Sequence, residues 1–352
     1  MRAAFLALLA AFSFASAANA YTPESGVWAS PGETGAGMYL ELQDDVLTLA
    51  VYGGDAQGRP TFYTAAGRLA YTYNTNGDLT SVVFRERMVR YSNFGCIGCP
   101  PAPVANEHDD VGWLTIAFDP ADATRAQLTW PNGRVIPLYR FEYGYLRDID
   151  PPALTGDVAR MLGEWNITVD LASSDASYPF TADVLVLDQY VWGTNQWFYQ
   201  GCRPDDAQVA GCSQYALDNH AAEGFFESPT GWQVIVVEDG IYDGELWFAL
   251  YELQIGTERG SGWFTLYPDG ENYLNYEAYP ARAWRSASRS FVESGEGPAK
   301  MMVSTTGKPE GLGAVLLAKG IPQAKAGTTA SRPANAARAD IIRALEARLR
   351  ER

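Results

Sequence analysis

Lysine is absent from the first 299 residues of this 352-residue chain, histidine occurs only twice and cysteine four times. Basic residues number 26 against 42 acidic ones, a formal net charge of -16. A chain so acidic has no general attraction for a polyanion, which excludes nucleic acid as an expected partner. Neither His108 nor His220 lies in a nucleophile elbow, an H-E-x-x-H helix or a recognisable triad, so serine-hydrolase and zinc-protease chemistry lose their usual carriers. No long apolar run follows residue 20, and no integral membrane segment is expected in the mature chain. The N-terminus itself reads as an export signal over residues 1–20. Arg2 precedes an apolar run from Ala3 to Phe14, too short to span a bilayer, and Ala18-Asn19-Ala20 supplies a small-x-small cleavage pattern before Tyr21. The expected location is secreted or periplasmic, without a lipid anchor, because the residue immediately after the cleavage point is Tyr21 and not cysteine.

What is present is a globular composition, with 47% hydrophobic residues, 13% aromatics, 34 Gly and 20 Pro, and enough chain for two domains. An even cysteine count in an exported protein implies disulfides, and the sequence-local pairs Cys96 with Cys99 and Cys202 with Cys212 are the parsimonious connectivity. A redox-active C-x-x-C or a zinc site remain as alternatives. Cys96-Ile97-Gly98-Cys99 sits in a Gly/Pro loop without a helix start, however, and the Cys202 to Cys212 spacing does not suit zinc.

From Tyr21 to Trp284, short runs rich in Val, Leu, Thr, Tyr and Phe end in Gly, Asn, Asp or Pro, the signature of strands joined by tight turns. Strands are predicted over Val46 to Tyr52, Thr61 to Tyr73, Ser81 to Tyr91, Val111 to Phe118, Arg125 to Trp130 and Arg134 to Phe141. A second set covers Glu164 to Leu171, Ala182 to Trp192, Gln196 to Gln200, Trp232 to Val237, Glu245 to Ile255, Gly262 to Tyr267 and Tyr273 to Tyr279. Asn76-Gly77, Asn132-Gly133, Asp239-Gly240, Asp243-Gly244 and Asp269-Gly270 read as turns. Asp150-Pro151-Pro152 marks a boundary near residue 150, with a short connecting helix over Thr155 to Leu162.

The two halves look duplicated. Gly26-Val27-Trp28 and Gly163-Glu164-Trp165 stand 137 residues apart, as do Trp130-Pro131-Asn132-Gly133 and Tyr267-Pro268-Asp269-Gly270; Phe62-Tyr63 and Phe198-Tyr199 are offset by 136. The expected fold is all-β: two tandem antiparallel meander barrels, or curved sandwiches, of about eight strands each, over residues 21–150 and 151–291. Residues 292–352 differ, reading as a flexible basic tail that ends in a helix over 340–352, with Ile341, Leu345 and Leu349 as its apolar stripe. Charge is segregated: residues 281–352 hold 13 basic and 6 acidic residues, whereas 21–280 hold 12 basic and 36 acidic. Three readings of the helix stand in order: a solvated tail, docking on the protein's own acidic barrels, and contact with an anionic membrane surface.

Gly26-Val27-Trp28-Ala29-Ser30-Pro31-Gly32-Glu33-Thr34-Gly35-Ala36-Gly37 resembles a module of exported proteobacterial proteins that opens G-x-W-x-x-P-x-E-[ST]-G-x-G. Gln43, the turn from Gly54 to Tyr63 and the hairpin from Ala126 to Phe141 continue the resemblance over residues 24–143, with Gly53-Gly54 and Thr61 departing from the module's aromatics. The resemblance implies compartment and domain type, and no catalytic residues. A looser likeness is to avidin and lipocalin barrels, which also begin with Gly-x-Trp.

Candidate chemistry is sparse, no catalytic residue can be singled out, and no cofactor or metal is expected. Glu107-His108-Asp109-Asp110 concentrates potential metal ligands in what reads as a loop, where solvated acidic residues are the ordinary outcome. The aromatics carry more. Of 45 in the chain, 42 lie between residues 21 and 291, most of them expected in cores. Tyr190, Trp192, Trp197 and Tyr199 flank one tight loop and would line a barrel mouth able to take a sugar or small apolar molecule. The leading expectation is an exported non-catalytic barrel protein that binds a small ligand, a glycan or an envelope component. The rivals are a secreted glycan hydrolase working through Asp/Glu pairs and a structural or adhesive surface protein with filled barrels.

Overall fold

In the computed structural model, the described residues are 23–142, 156–292 and 336–350, apart from 34, 55–57, 59, 76–78, 93–106, 121, 173–178, 194–195, 204–211, 213–220, 229 and 290–291. The expected signal, the Asn76-Gly77 turn, Cys96, Cys99 and the expected linker fall outside them. The chain divides into two compact units between Glu142 and Tyr143. Each is a closed antiparallel barrel of eight strands.

The first barrel comprises β1 (Gly26–Ala29), β2 (Gly37–Gln43), β3 (Val46–Gly54), β4 (Pro60–Tyr73), β5 (Leu79–Ser92), β6 (Glu107–Asp119), β7 (Asp122–Thr129) and β8 (Val135–Arg140), with β8 pairing back to β1. Alternate residues face inward, as pleating requires. Trp28, Leu40, Leu49, Phe84, Ile116 and Leu128 belong to one core cluster that fills the interior. A small eight-stranded barrel has about the width its own side chains fill.

The second barrel comprises β9 (Gly163–Asp170), β10 (Phe180–Gly193), β11 (Gln196–Cys202), β12 (Ala221–Glu227), β13 (Trp232–Tyr242), β14 (Glu245–Ile255), β15 (Arg259–Pro268) and β16 (Ala278–Ser288), closed by pairing of β16 with β9. A short helix, α1 (Gly156–Ala159), precedes it. Val158, Ala159, Met161 and Leu162 are buried with the interior side chains of this barrel, so the chain plugs the end at which β9 begins.

Several expectations are corrected. Asp239-Gly240 is no turn: it forms a bulge within β13, and the hairpin turns four residues later at Asp243-Gly244. Residues 273–279 are not one strand, because Tyr273–Asn275 is a 3-10 turn capped by Asn272, and the strand runs on from Ala278 to Ser288. Strand β12 escaped the pattern because its outward Glu223 and Glu227 look solvent-facing yet are buried. Glu107 to Asp110 open strand β6 rather than occupying a loop. Phe62-Tyr63 lies in the fourth strand of its barrel and Phe198-Tyr199 in the third, so that match does not mark equivalent positions. The two 137-residue matches do, in the first strand and at the turn between the seventh and eighth.

The terminal helix α2 (Ala336–Arg350) begins a turn earlier than expected, and it is not a solvated tail. Ala339, Ile342, Leu345 and Leu349 pack on outward residues of the second barrel, among them Phe225, Val234, Phe248 and Leu250. Arg338, 1% exposed, donates from Nε to Glu227 Oε1 (3.1 Å), from Nη2 to Glu227 Oε2 (2.5 Å) and from Nη1 to Glu252 Oε1 (2.7 Å). Arg348 pairs with Glu223 at 3.0 Å, and Arg350 with Asp269. Tyr267 donates to Glu346 at 2.7 Å, while burial raises the Glu346 carboxyl above its ordinary value. Arg338→Ala is expected to destabilise the second barrel by about 3–5 kcal/mol, because Glu227 and Glu252 would stay buried without their cation. Urea denaturation of the full chain followed by circular dichroism measures that loss.

Candidate functional site

Strands β10 and β11 form a hairpin whose register sets Tyr190 opposite Tyr199 and Trp192 opposite Trp197. A bulge between Leu187 and Gln189 makes this face continuous. Leu185 and Leu187 point inward at odd positions, and the extra residue lets Tyr190 and Trp192 take over the inner side at even ones. The four aromatics picked out in the sequence therefore share one face, but in different environments.

Tyr199 is fully buried core: its hydroxyl donates to the carbonyls of Phe225 (3.2 Å) and Val234 (3.3 Å), and its ring lies where Gly224 leaves room. Burial pushes its hydroxyl well above the ordinary value of 10.0. The other three form a ledge at the rim. Trp197 meets Tyr190 edge-on at 5.6 Å and Trp192 edge-on at 5.1 Å. Tyr190 and Trp197 rest on the core, whereas Trp192 is 58% exposed. The Trp197 Nε1 hydrogen is buried without an acceptor. Because α1 plugs this end, the rings stand beside a filled interior and do not line a hollow one.

Toward the opposite end of this barrel lies a polar cluster that the sequence did not flag. Arg203 holds Asp183 with two parallel bonds of 2.8 Å and reaches Asp239 Oδ1 at 2.8 Å. Tyr251 donates to Asp183 at 2.5 Å, and Tyr242 to Asp239 at 2.8 Å. Arg203, Asp183, Asp239 and Tyr251 are all buried. Burial, then Asp183, drives the Tyr251 hydroxyl well above 10.0. The readable signal was a charge at inward parity: Asp183 shares the face of Leu185 and Leu187. Arg203 follows Cys202 directly, and the Cys202–Cys212 disulfide ties down the segment that carries it. This arrangement satisfies carboxylates against a guanidinium inside a core and presents no reactive group to solvent.

In the first barrel, Asp109 and Asp110 pair across the strand with Arg90 and Arg87. Those pairings compete with the metal reading of Glu107 to Asp110. Among the described residues no group of three or more His, Cys, Asp or Glu side chains is arranged to hold a metal ion.

Comparison of the chain with family models, with curated proteins and with solved structures finds no match.

Tyr199 and Tyr251 set an alkaline limit. Their folded values lie above the unfolded one, so the stability they contribute is complete below pH 10 and falls as pH rises beyond it, where the unfolded chain releases protons that the folded one retains. Ultraviolet titration should show at least two tyrosines, Tyr199 and Tyr251, ionising only as the second barrel unfolds. Ionisation of every tyrosine near the ordinary value in the folded protein would contradict this.

Proposed function

We propose that this chain is an exported, non-catalytic barrel protein that binds a small ligand, a sugar or an apolar molecule, at the Tyr190–Trp197–Trp192 ledge. The observation that carries the reading is the ledge itself. An indole more than half exposed is braced edge-to-face by a second indole that rests on the core, which gives a rigid stacking face. The Cys202–Cys212 disulfide and the signal-like N-terminus support export.

Filled barrel interiors favour a second reading, a structural or adhesive surface protein. The glycan-hydrolase reading has less support. Asp183, Asp239, Glu227 and Glu252 are buried and committed to guanidinium groups, where a catalytic pair must face a substrate.

Titration of intrinsic tryptophan fluorescence with a panel of oligosaccharides and planar apolar compounds tests the proposal. A ligand that quenches the protein should lose at least tenfold in affinity when Trp192 and Trp197 are both replaced by Ala, about 1.4 kcal/mol. Unchanged affinity in that variant for every ligand detected would refute it.

A further inference from the structure

The first barrel carries a second aromatic array, independent of the ledge and on the other unit. Tyr52, Phe62, Tyr91 and His108 are consecutive cross-strand partners on β3, β4, β5 and β6. Ring centroids follow at 5.3, 6.1 and 6.4 Å, with planes tilted by 38°, 41° and 33°. The row runs across the strands on the outer face, opposite in parity to core residues such as Val51 and Phe84. Tyr52 is 57% exposed and His108 is also exposed. Beyond Tyr52 the row meets Gly37 of β2, over which there is open space.

Cross-strand aromatic pairs do stabilise a sheet. Two such pairs would serve that end; a file of four rings crossing adjacent strands is a contiguous stacking surface, of the kind that marks a binding site on a soluble protein. Further along β5 and β6 the same outer face carries the Arg87–Asp110 ion pair and Trp113, 48% exposed, with the Arg85 and Arg87 guanidiniums 5.2 and 5.5 Å from its ring.

We infer that this strip binds an uncharged, β-linked glycan chain. Three features select that class. The ring-to-ring step is close to the length of one pyranose unit, so successive sugars can each meet a ring. Pyranoses with equatorial substituents present flat faces of C–H groups to the negative faces of aromatic rings, and β-linked chains keep those faces aligned. The neighbouring guanidinium and carboxylate offer both donors and acceptors for sugar hydroxyls. The chain's charge of -16 selects against a polyanionic glycan, which is repelled at long range while a neutral one is not.

The test is affinity electrophoresis of the full mature chain in gels containing hydroxyethyl cellulose, galactomannan or polygalacturonate. Retardation is expected with an uncharged β-linked polymer and not with polygalacturonate. Tyr52→Ala removes an exposed ring and should weaken retardation about tenfold in a protein that stays folded, its melting lowered by no more than the loss of one cross-strand pair. Phe62→Leu, which keeps apolar bulk but loses the ring, should act in the same direction. In the Trp192→Ala, Trp197→Ala background, where the ledge contributes nothing, Tyr52→Ala should weaken retardation by the same factor, which separates this strip from the ledge. No retardation by either uncharged polymer, retardation by polygalacturonate alone, or full retardation of both Tyr52→Ala and Phe62→Leu would overturn the inference. So would a glycan-free dimer in sedimentation that Tyr52→Ala abolishes, since a second copy would then be the occupant.

Discussion

Both barrels carry the same contact at the seam where the eighth strand pairs with the first: an arginine of the eighth strand laid across the glycine that opens the first. In the first barrel, Arg140 donates from Nε to the carbonyl of Ser25 at 3.0 Å, immediately before Gly26. In the second, Arg285 donates to the carbonyl of Leu162 at 2.5 Å, immediately before Gly163, and its guanidinium lies 4.3 Å from the Trp165 ring centre. Gly26 and Gly163 have φ of +127° and +129°, and a Cβ at either would collide with the closing strand. The tryptophan two residues on then swings inward. Trp28 Nε1 donates to the Glu24 carbonyl at 3.0 Å, and Trp165 Nε1 to the Met161 carbonyl at 2.9 Å. Glycine, tryptophan and both backbone acceptors keep the 137-residue offset, which makes duplication a statement about closure geometry as well as motif spelling.

On this shared frame the outer faces have diverged. The first barrel exposes Tyr39, Tyr52, Trp113 and Tyr139 on its surface. The second instead buries Phe225, Val234, Phe248 and Leu250 under a helix of its own chain, with Glu223, Glu227 and Glu252 neutralised by Arg348 and Arg338. Part of the acidic excess therefore serves to seat the basic C-terminus, and the segregation of charge along the sequence is a record of that packing. A helix with so short an apolar stripe gains little from burial alone, and paired charges give it a register.

Strand number, antiparallel order, closure into two units and the Cys202–Cys212 pairing were legible because each rests on local signals, namely alternation, turn residues and cysteine spacing. Asp239-Gly240 misled because a bulge and a turn draw on the same residues; only Arg203, 36 positions earlier, shows that Asp239 turns inward. Strand β12 was hidden for a similar reason, since Glu223 and Glu227 read as solvated until a helix more than 100 residues away supplies arginines. The four aromatics of the β10–β11 hairpin were legible as neighbours, while the burial of Tyr199 depends on the room that Gly224 leaves on the next strand. The aromatic file on the first barrel was invisible, because its members sit on four strands and only the register lines them up.

The chain is thus one closure device used twice, with exposed aromatic surfaces carried outside two filled cores. Hydrogen exchange on Gly26→Ala and Gly163→Ala variants tests that account most directly. The account predicts that Gly26→Ala accelerates exchange at the β1–β8 seam and Gly163→Ala at the β9–β16 seam, since each alanine would strain the backbone and displace its arginine. Native protection of both seams in both variants would contradict it.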